Sequence, residues 1–424
     1  MEGTPHKGGN VPQFHCQGGK DHMKRVIIIG GGASGMAAAL RAAERGAEVT
    51  LLERQARLGR KLLATGNGRC NLTNTQARAP GHYHGEAPGF AVPALDTWPP
   101  EAVLDYFAAL GLKTVTEYGG RIYPMSDHAG SVLDVLRLAL ENAGVRIITG
   151  AAVEGLSREK GGFLAHWDGG EVRGNVAIVA CGGCAGSRLG GVMDGYRLLQ
   201  SLGHSRTPLY PALAPLRTAS EYPRALKGIR VDASVRLRCG GKTLAEARGD
   251  VLFTETGLSG TAIFDIARAA ALGGAGLRAS LDFFPGENAK ALRRDLDARR
   301  ARWPELEANR VLTGTVHNRL GLMLCKAAGL SGGAALGAVP DAALDRLSAL
   351  MKDFSLEVTG VGGFDAAQVT AGGVRCSEFV PETLQSRLVP GLYACGEVLD
   401  IDGDCGGFNL QWAWASGLLA GETR

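Results

Sequence analysis

The sequence predicts an α/β protein whose parallel sheet is assembled from both ends of the chain around inserted segments. Two units of apolar strand, glycine turn and helix predict the sheet, one near residues 26–46 and one near residues 392–410. Between them, runs such as IRVDASVRLRC alternate polar and apolar residues, which is typical of antiparallel strands. The length of 424 residues also favours more than one domain.

Composition and charge restrict the class of partner. Hydrophobic residues make up 45% and charged residues 21% of the chain, as in globular proteins. The formal net charge of +4 is mild and no basic stripe with interleaved aromatic residues is present, so we expect a small-molecule substrate and no nucleic-acid partner. No apolar stretch is long enough to span a bilayer, which predicts no membrane partner. The oligomeric state is left open.

Cysteine spacing and the N-terminus indicate the compartment. Nine cysteines are spread from Cys16 to Cys405, unlike the dense disulfide framework of a small secreted protein. The N-terminus lacks an apolar signal core, and residues 1–22 show no periodicity. We therefore expect a cytoplasmic protein whose first 22 residues form a disordered extension, with an early start codon as the alternative explanation.

The first strand–turn–helix unit, RVIIIGGGASGMAAALRAAERGAEVTLLER, has the spacing of a dinucleotide-binding turn. Gly30 is expected to make the tight turn, and Gly32 lets backbone N–H groups approach a pyrophosphate. Gly35 allows the helix to pack closely on the strand. Glu53, at the end of the next strand, can accept hydrogen bonds from a ribose. A turn without any ligand is the less favoured interpretation.

The next stretch, GRKLLATGNGRCNLTN, combines glycines with many directional side chains. Such a loop is suited to bind a pyrophosphate and the edge of a flavin ring. The alternative is a turn rich in local hydrogen bonds. The loop supplies both cations and amides, namely Arg60, Lys61, Arg69, Asn67, Asn71 and Asn74.

Together with the tail YACGEVLDIDGDCGGFNLQWAWASGLLAGE, these motifs resemble the bacterial FAD-dependent oxidoreductases that include aminoacetone oxidase and the BaiN/YhiN flavoproteins. The resemblance runs from Met23 to the C-terminus. It implies a discontinuous Rossmann-like FAD-binding domain with an inserted antiparallel β domain and a small helical insert. The implied boundaries are 23–203 and 360–424 for the FAD-binding domain, 204–285 with about 350–359 for the β domain, and 286–349 for the helical insert.

The resemblance also implies the cofactor contacts. Glu397 is expected to hold the ribityl chain, and the helix that starts near Asn409 would direct its positive N-terminus at the flavin. Trp412 and Trp414 on that helix are interpreted as packing residues. No catalytic or metal-binding residue is predicted. The residues expected to contact FAD are Gly30, Gly32, Ala33, Ser34, Gly35, Glu53, Arg54, Arg60, Lys61, Thr65, Gly66, Asn67, Asn71, Val153, Ala180, Cys181, Gly182, Gly396, Glu397, Gly406, Gly407, Phe408, Asn409 and Leu410.

Two stretches leave alternatives open. In GDVLFTETGLSGT, Glu255 stands where the family commonly has histidine and Thr261 where it has proline, so a general acid or base at position 255 is in doubt. In CGGC, Cys181 and Cys184 have the spacing of a redox dithiol. We favour a backbone contact of this turn with FAD, with Cys181 as a small packing residue, over a dithiol or a zinc site.

The expected activity is hydride transfer through non-covalent FAD. The resemblance allows an NAD(P)H-linked reduction of a conjugated C=C bond, which we favour, or an oxidation of a small amine or aminoketone by O2. A dithiol reductase and an RNA-modifying flavoprotein are less favoured. No second dinucleotide-binding turn is present, so NAD(P)H is expected to bind transiently at the flavin face.

Overall fold

The computed structural model describes residues 23–423, and the predicted N-terminal extension lies outside them. Its central sheet has five parallel strands, so the prediction of an α/β fold is confirmed. Val26 pairs with Val49 on one side and with Val176 on the other, and these strands are buried on both faces. In spatial order the strands are Leu392–Ala394, Val176–Val179, Arg25–Ile29, Glu48–Glu53 and Arg146–Thr149.

Both chain ends form one layer on this sheet. The first helix, Ala33–Glu44, packs against the C-terminal helix, Phe408–Ala420. A Cβ at Gly417 would lie 2.3 Å from the backbone oxygen of Ser34, so only glycine permits this approach. Trp412 and Trp414 are 1% and 0% exposed, which confirms that they pack in the core.

The alternating segments form a closed antiparallel barrel. Its strands are Leu216–Thr218, Arg230–Cys239, Lys242–Phe253, Gly257–Ser259, Leu277–Asp282 and Phe354–Val361. Their inward residues, such as Val235 and Leu281, are fully buried. A helix that the strand pattern did not predict, Thr261–Leu272, packs against the barrel. We call it the barrel helix.

Three further helices pack on the barrel. The helices and the barrel share one hydrophobic core. The arginine-rich helix is paired with acids: Arg299 contacts Asp295, while Arg300 contacts Asp297 and Asp341. These ion pairs support the interpretation of a solvated charged face. The helices are Ala289–Arg302, Asn318–Ala327 and Asp341–Lys352.

Smaller elements complete the chain. The strands are Thr73–Asn74, Tyr83–His84, Thr114–Thr116, Arg121–Pro124, Val153–Glu159, Gly162–Trp167, Gly170–Gly174, Tyr210–Ala212, Val369–Ala371 and Asp402–Gly403. The helices are Arg60–Ala64, Val92–Thr97, Pro100–Ala109, Ala129–Asn142, Asp194–Ser201 and Tyr222–Ala225. No helix within residues 23–423 is long and apolar enough to cross a membrane.

Candidate active site

A cavity of about 420 Å³ opens at the carboxyl ends of the central strands. Parallel strands direct their following turns to this edge, where ligands of open α/β sheets bind. Residues from both chain ends and from the barrel helix line the cavity. The two glycine turns, which come from opposite ends of the described chain, therefore face the same space.

Two glycines of the first turn have different roles, one in packing and one in leaving the backbone open to a ligand. A Cβ at Gly35 would lie 1.8 Å from the backbone oxygen of Gly30, so Gly35 is required by helix–strand packing. A Cβ at Gly32 would meet no atom within 4 Å. Because Gly32 lines the cavity and opens the first helix, its backbone is accessible to a phosphate group.

Glu53 ends the second strand and is only 8% exposed. Its carboxylate accepts hydrogen bonds from the backbone N–H of Gly31 at 2.8 Å and of Gln55 at 2.7 Å. These bonds fix the carboxylate at the cavity wall with lone pairs remaining, as a ribose acceptor requires. The adjacent Arg54 pairs with Asp194 at 2.7 Å, and both residues line the cavity.

Glu397 is held between two elements of the cavity wall. Its Oε2 lies 2.7 Å from Nζ of Lys61, and its Oε1 accepts the backbone N–H of Thr370 at 2.9 Å. Both charged side chains are partly buried, at 20% exposure for Glu397 and 32% for Lys61. The pair offers a fixed carboxylate beside a cation, which suits hydroxyl and phosphate groups of a dinucleotide.

The polar loop reaches the second glycine turn. Asn71 lines the cavity, and its Oδ1 is a buried acceptor with no partner. It lies 3.1 Å from the position that a Cβ on Gly407 would occupy. An unpaired buried acceptor is costly, so a ligand N–H such as that of a flavin ring would satisfy it.

The CGGC turn follows the central strand Val176–Val179. The thiol of Cys181 donates to the backbone oxygen of Ile29 at 3.4 Å, and that of Cys184 lies 3.7 Å from Oγ1 of Thr370. Burial is the main cause that raises the pKa of both thiols. A reactive dithiol needs a lowered thiol pKa, so this environment favours the interpretation of Cys181 as a packing residue.

All but three of the residues expected to contact FAD line the cavity. Gly35 packs against Gly30 instead, and Gly396 packs against Ser34, whose Oγ would lie 2.5 Å from a Cβ there. Phe408 turns away and stacks on His82 with 4.2 Å between ring centroids. These three residues shape the wall but do not form its surface.

Position 255 lies away from the cavity. The side chain of Glu255 is 58% exposed and its Oε2 lies 2.8 Å from Nζ of Lys227. This contact lowers the pKa of Glu255, so the carboxylate is ionised at neutral pH and does not serve as an acid at the flavin. Thr261, the other departure, does line the cavity at the start of the barrel helix.

Further cavity residues were not among the predicted contacts. They lie on two short strands, on loops and on the barrel helix, and no local spacing reveals how these segments approach the sheet. Two of them, Arg121 and Tyr123, have no role that the sequence reveals. The residues on this side of the cavity are Arg121, Tyr123, Leu213, Thr261, Phe264, Gln368, Val369, Asp404 and Cys405.

The fold and cavity define a dinucleotide-binding protein whose site is completed by both chain ends. The open backbone at Gly32, the fixed carboxylate of Glu53 and the unpaired acceptor of Asn71 fit the phosphate, ribose and ring portions of FAD. The chain belongs to the family described as HI0933-like protein Rossmann domain, which it matches over residues 24–423. It is an FAD-dependent oxidoreductase of this flavoprotein family.

Named relatives extend over nearly the whole chain. A 3-dehydro-bile acid delta(4,6)-reductase of Clostridium scindens is 41% identical over 406 residues, which cover 95% of this chain and 99% of the relative. A ribosomal RNA dihydrouridine synthase of Escherichia coli is 29% identical over 402 residues, covering 92% of this chain and 95% of the relative. The fold is similar to that of a 3-ketosteroid delta1-dehydrogenase from Sterolibacterium denitrificans, at a TM-score of 0.50 and 14% identity, covering 95% and 99% of the two chains.

Proposed function

We propose that this flavoprotein reduces a conjugated C=C bond in an apolar ring system of the steroid type, with NAD(P)H as the electron donor. The observation that carries the proposal is the apolar wall on the barrel side of the cavity, formed by Leu213, Phe264 and Val369 next to the second glycine turn. Such a wall excludes water and suits a fused hydrocarbon ring. The 41% identity with a bile-acid reductase supports the same substrate class.

The FAD that fits this cavity would carry the hydride from NAD(P)H to the substrate. The glycine turn at Gly30 to Gly35 serves the resident dinucleotide. NAD(P)H therefore binds transiently at the open flavin face and leaves before the substrate enters. This order makes the two half-reactions separable in time.

Anaerobic mixing tests the proposal against an oxidase. NADH or NADPH should bleach the bound FAD, and a 3-dehydro-bile acid with Δ4 and Δ6 double bonds should restore its colour without O2. Bleaching by a small amine or aminoketone alone, with peroxide formed on admission of air, would instead establish the oxidase. Absence of bound flavin after reconstitution with FAD would exclude both reactions.

A second candidate is the reduction of uridine in RNA. It is favoured by the relatives named as ribosomal RNA dihydrouridine synthases, at 29% and 27% identity. The arginine-rich helix offers little support for RNA binding, because Arg293, Arg299 and Arg300 form ion pairs with aspartates. Incubation of the reduced protein with ribosomal RNA, followed by nucleoside analysis for dihydrouridine, distinguishes this reaction from reduction of the C=C bond of a conjugated ketone.

A further inference from the structure

We call the part of the cavity near Leu213, Phe264 and Val369 the substrate side. It contains a cation, Arg121, that has no acidic partner among residues 23–423. Arg54, Lys61 and Arg69 also line the cavity, but each makes an ion pair with a carboxylate. Within residues 23–423, no carboxylate lies within ion-pair distance of Arg121. The guanidinium is therefore available to an oxygen atom of a ligand.

Backbone pairing fixes Arg121 beside the second glycine turn. Its strand pairs Arg121 with Asn74, and Nδ2 of Asn74 donates to the backbone oxygen of Gly406 at 2.9 Å. The Nε atom of Arg121 lies 3.5 Å from the position that a Cβ on Gly406 would occupy. The cation thus borders the turn that precedes the C-terminal helix.

Cys405 stands immediately before this turn and lines the same part of the cavity. Its backbone N–H donates to Oδ1 of Asp265 on the barrel helix at 3.1 Å. Burial raises the pKa of its thiol to about 12, and the negative charge of Asp265 acts in the same direction. The thiol is consequently protonated at neutral pH, beside the apolar contacts of Phe264.

A cation and a neutral acid in an apolar pocket match the polarity of a conjugated ketone. Hydride addition at the β carbon moves the π electrons toward the carbonyl oxygen and produces an enolate. The enolate oxygen needs a fixed positive charge, and its α carbon needs a proton. These are the two groups that the substrate side of the cavity provides.

We propose that Arg121 binds the carbonyl oxygen of the conjugated ketone and that Cys405 donates the proton to its α carbon. This inference rests on the proposed reduction, in which NAD(P)H supplies the hydride and, with it, the electron pair. The S–H bond breaks as the α C–H bond forms, the ketone leaves with one C=C bond fewer, and the thiolate regains a proton from water. Asp265 is a positioning residue that holds the backbone of Cys405.

Single-turnover kinetics test the two assignments separately from cofactor binding. The FAD-loaded protein is reduced anaerobically with NADPH or NADH, whichever bleaches it, and mixed with the Δ4,6 3-dehydro-bile acid. Cys405→Ala and Cys405→Ser should slow flavin reoxidation about 100-fold, as loss of a general acid does, while bleaching by the nucleotide keeps its wild-type rate. Arg121→Gln should slow reoxidation by about the same factor and also weaken binding of the ketone.

Isotope labelling adds a readout that a merely structural role would not change. In D2O the wild-type product should carry deuterium at one face of the α carbon, whereas Cys405→Ala should give both faces because water then donates. Cys239→Ala and Arg294→Gln are matched controls outside the cavity and should retain wild-type rates.

The outcomes distinguish this inference from the proposed function. If the ketone does not reoxidise the reduced wild-type flavin, both the reduction and these residue roles are wrong. If it reoxidises wild type and the Cys405 and Arg121 variants equally fast, only the residue roles are overturned. If a Cys405→Ala protein loses FAD, the milder Cys405→Ser variant decides the same question.

Discussion

The Nζ atom of Lys61 lies 2.7 Å from the Oε2 atom of Glu397, although 336 positions separate the two residues in the sequence. Lys61 belongs to the short helix Arg60–Ala64 after the first glycine unit, and Glu397 follows the strand Leu392–Ala394 of the central sheet. Their contact joins the two ends of the chain at the cavity wall. The site for the dinucleotide therefore exists only after both ends have packed on one sheet.

Loss of the Glu397 charge should weaken FAD binding. Glu397→Gln keeps the size of the side chain but removes the carboxylate that Lys61 and the Thr370 N–H engage. We expect FAD affinity to fall about tenfold, since a hydrogen bond to a charged group contributes about 1.5–3 kcal/mol and this one is partly solvated. Fluorescence titration of the apoprotein with FAD measures the change. The exposed Glu382→Gln should bind FAD as wild type does, and equal affinities for both variants would contradict the role of Glu397.

Two glycine-to-alanine changes in the same turn should affect different properties, one FAD affinity and the other the stability of the apoprotein. Gly32→Ala should leave the melting temperature of the apoprotein unchanged, because its Cβ meets no atom, but lower FAD affinity about tenfold by obstructing the phosphate. Gly35→Ala should destabilise the apoprotein by about 3 kcal/mol, because its Cβ would overlap the Gly30 oxygen. Thermal unfolding with and without FAD separates the effects. A destabilised Gly32→Ala apoprotein would contradict this division.

The CGGC turn should not store electrons. Cys184 does not line the cavity, and Oγ1 of Thr370 offers a hydrogen-bond partner to a serine at that position. Anaerobic dithionite titration should consume one two-electron equivalent per FAD in wild type and in Cys184→Ser alike. A dithiol would consume a second equivalent in wild type and lose it in the variant.

Stability should decrease on acidification through His204. Its ring is fully buried between Glu378 and Ser386, with Nδ1 2.9 Å from Oε2 and Nε2 3.0 Å from Oγ. Burial lowers the pKa of His204 in the folded protein despite the Glu378 contact, so below the unfolded value of about 6.5 the unfolded chain binds more protons. The stability that a neutral His204 contributes is therefore present above that pH and is lost as pH falls.

The measurement is the change in melting temperature between pH 7.5 and pH 5. His204→Gln should show a smaller decrease than wild type, although its melting temperature at pH 7.5 is lower because the buried contacts are altered. The exposed His166→Gln is the control and should follow wild type. An acid-induced decrease in His204→Gln as large as that of wild type would show that His204 is not the group responsible.

Local spacing made the nucleotide side of the site predictable. Gly30, Gly32 and Glu53 lie within one strand–helix–strand unit, so their separation follows from the geometry of that unit. The same reasoning assigned Gly35 to helix–strand packing but also counted Gly35 and Gly396 among the FAD contacts, although both pack inside the wall. The spacing of the motif indicates that a glycine is needed at a position. It does not indicate whether a side chain there would collide with the protein or with the ligand.

The sequence by itself determined the parallel sheet, the dinucleotide turn, the family and the alternating strands of the barrel. Only the tertiary structure decided that Arg121 and Cys405 line one cavity and that Asp265 holds Cys405, because the three lie on a short strand, the C-terminal loop and the barrel helix. It also placed Glu255, whose role the sequence left in doubt, outside the residues that line the cavity. The physical reason is that periodicity records contacts within an element, whereas the approach of the barrel helix to the sheet depends on packing among distant segments.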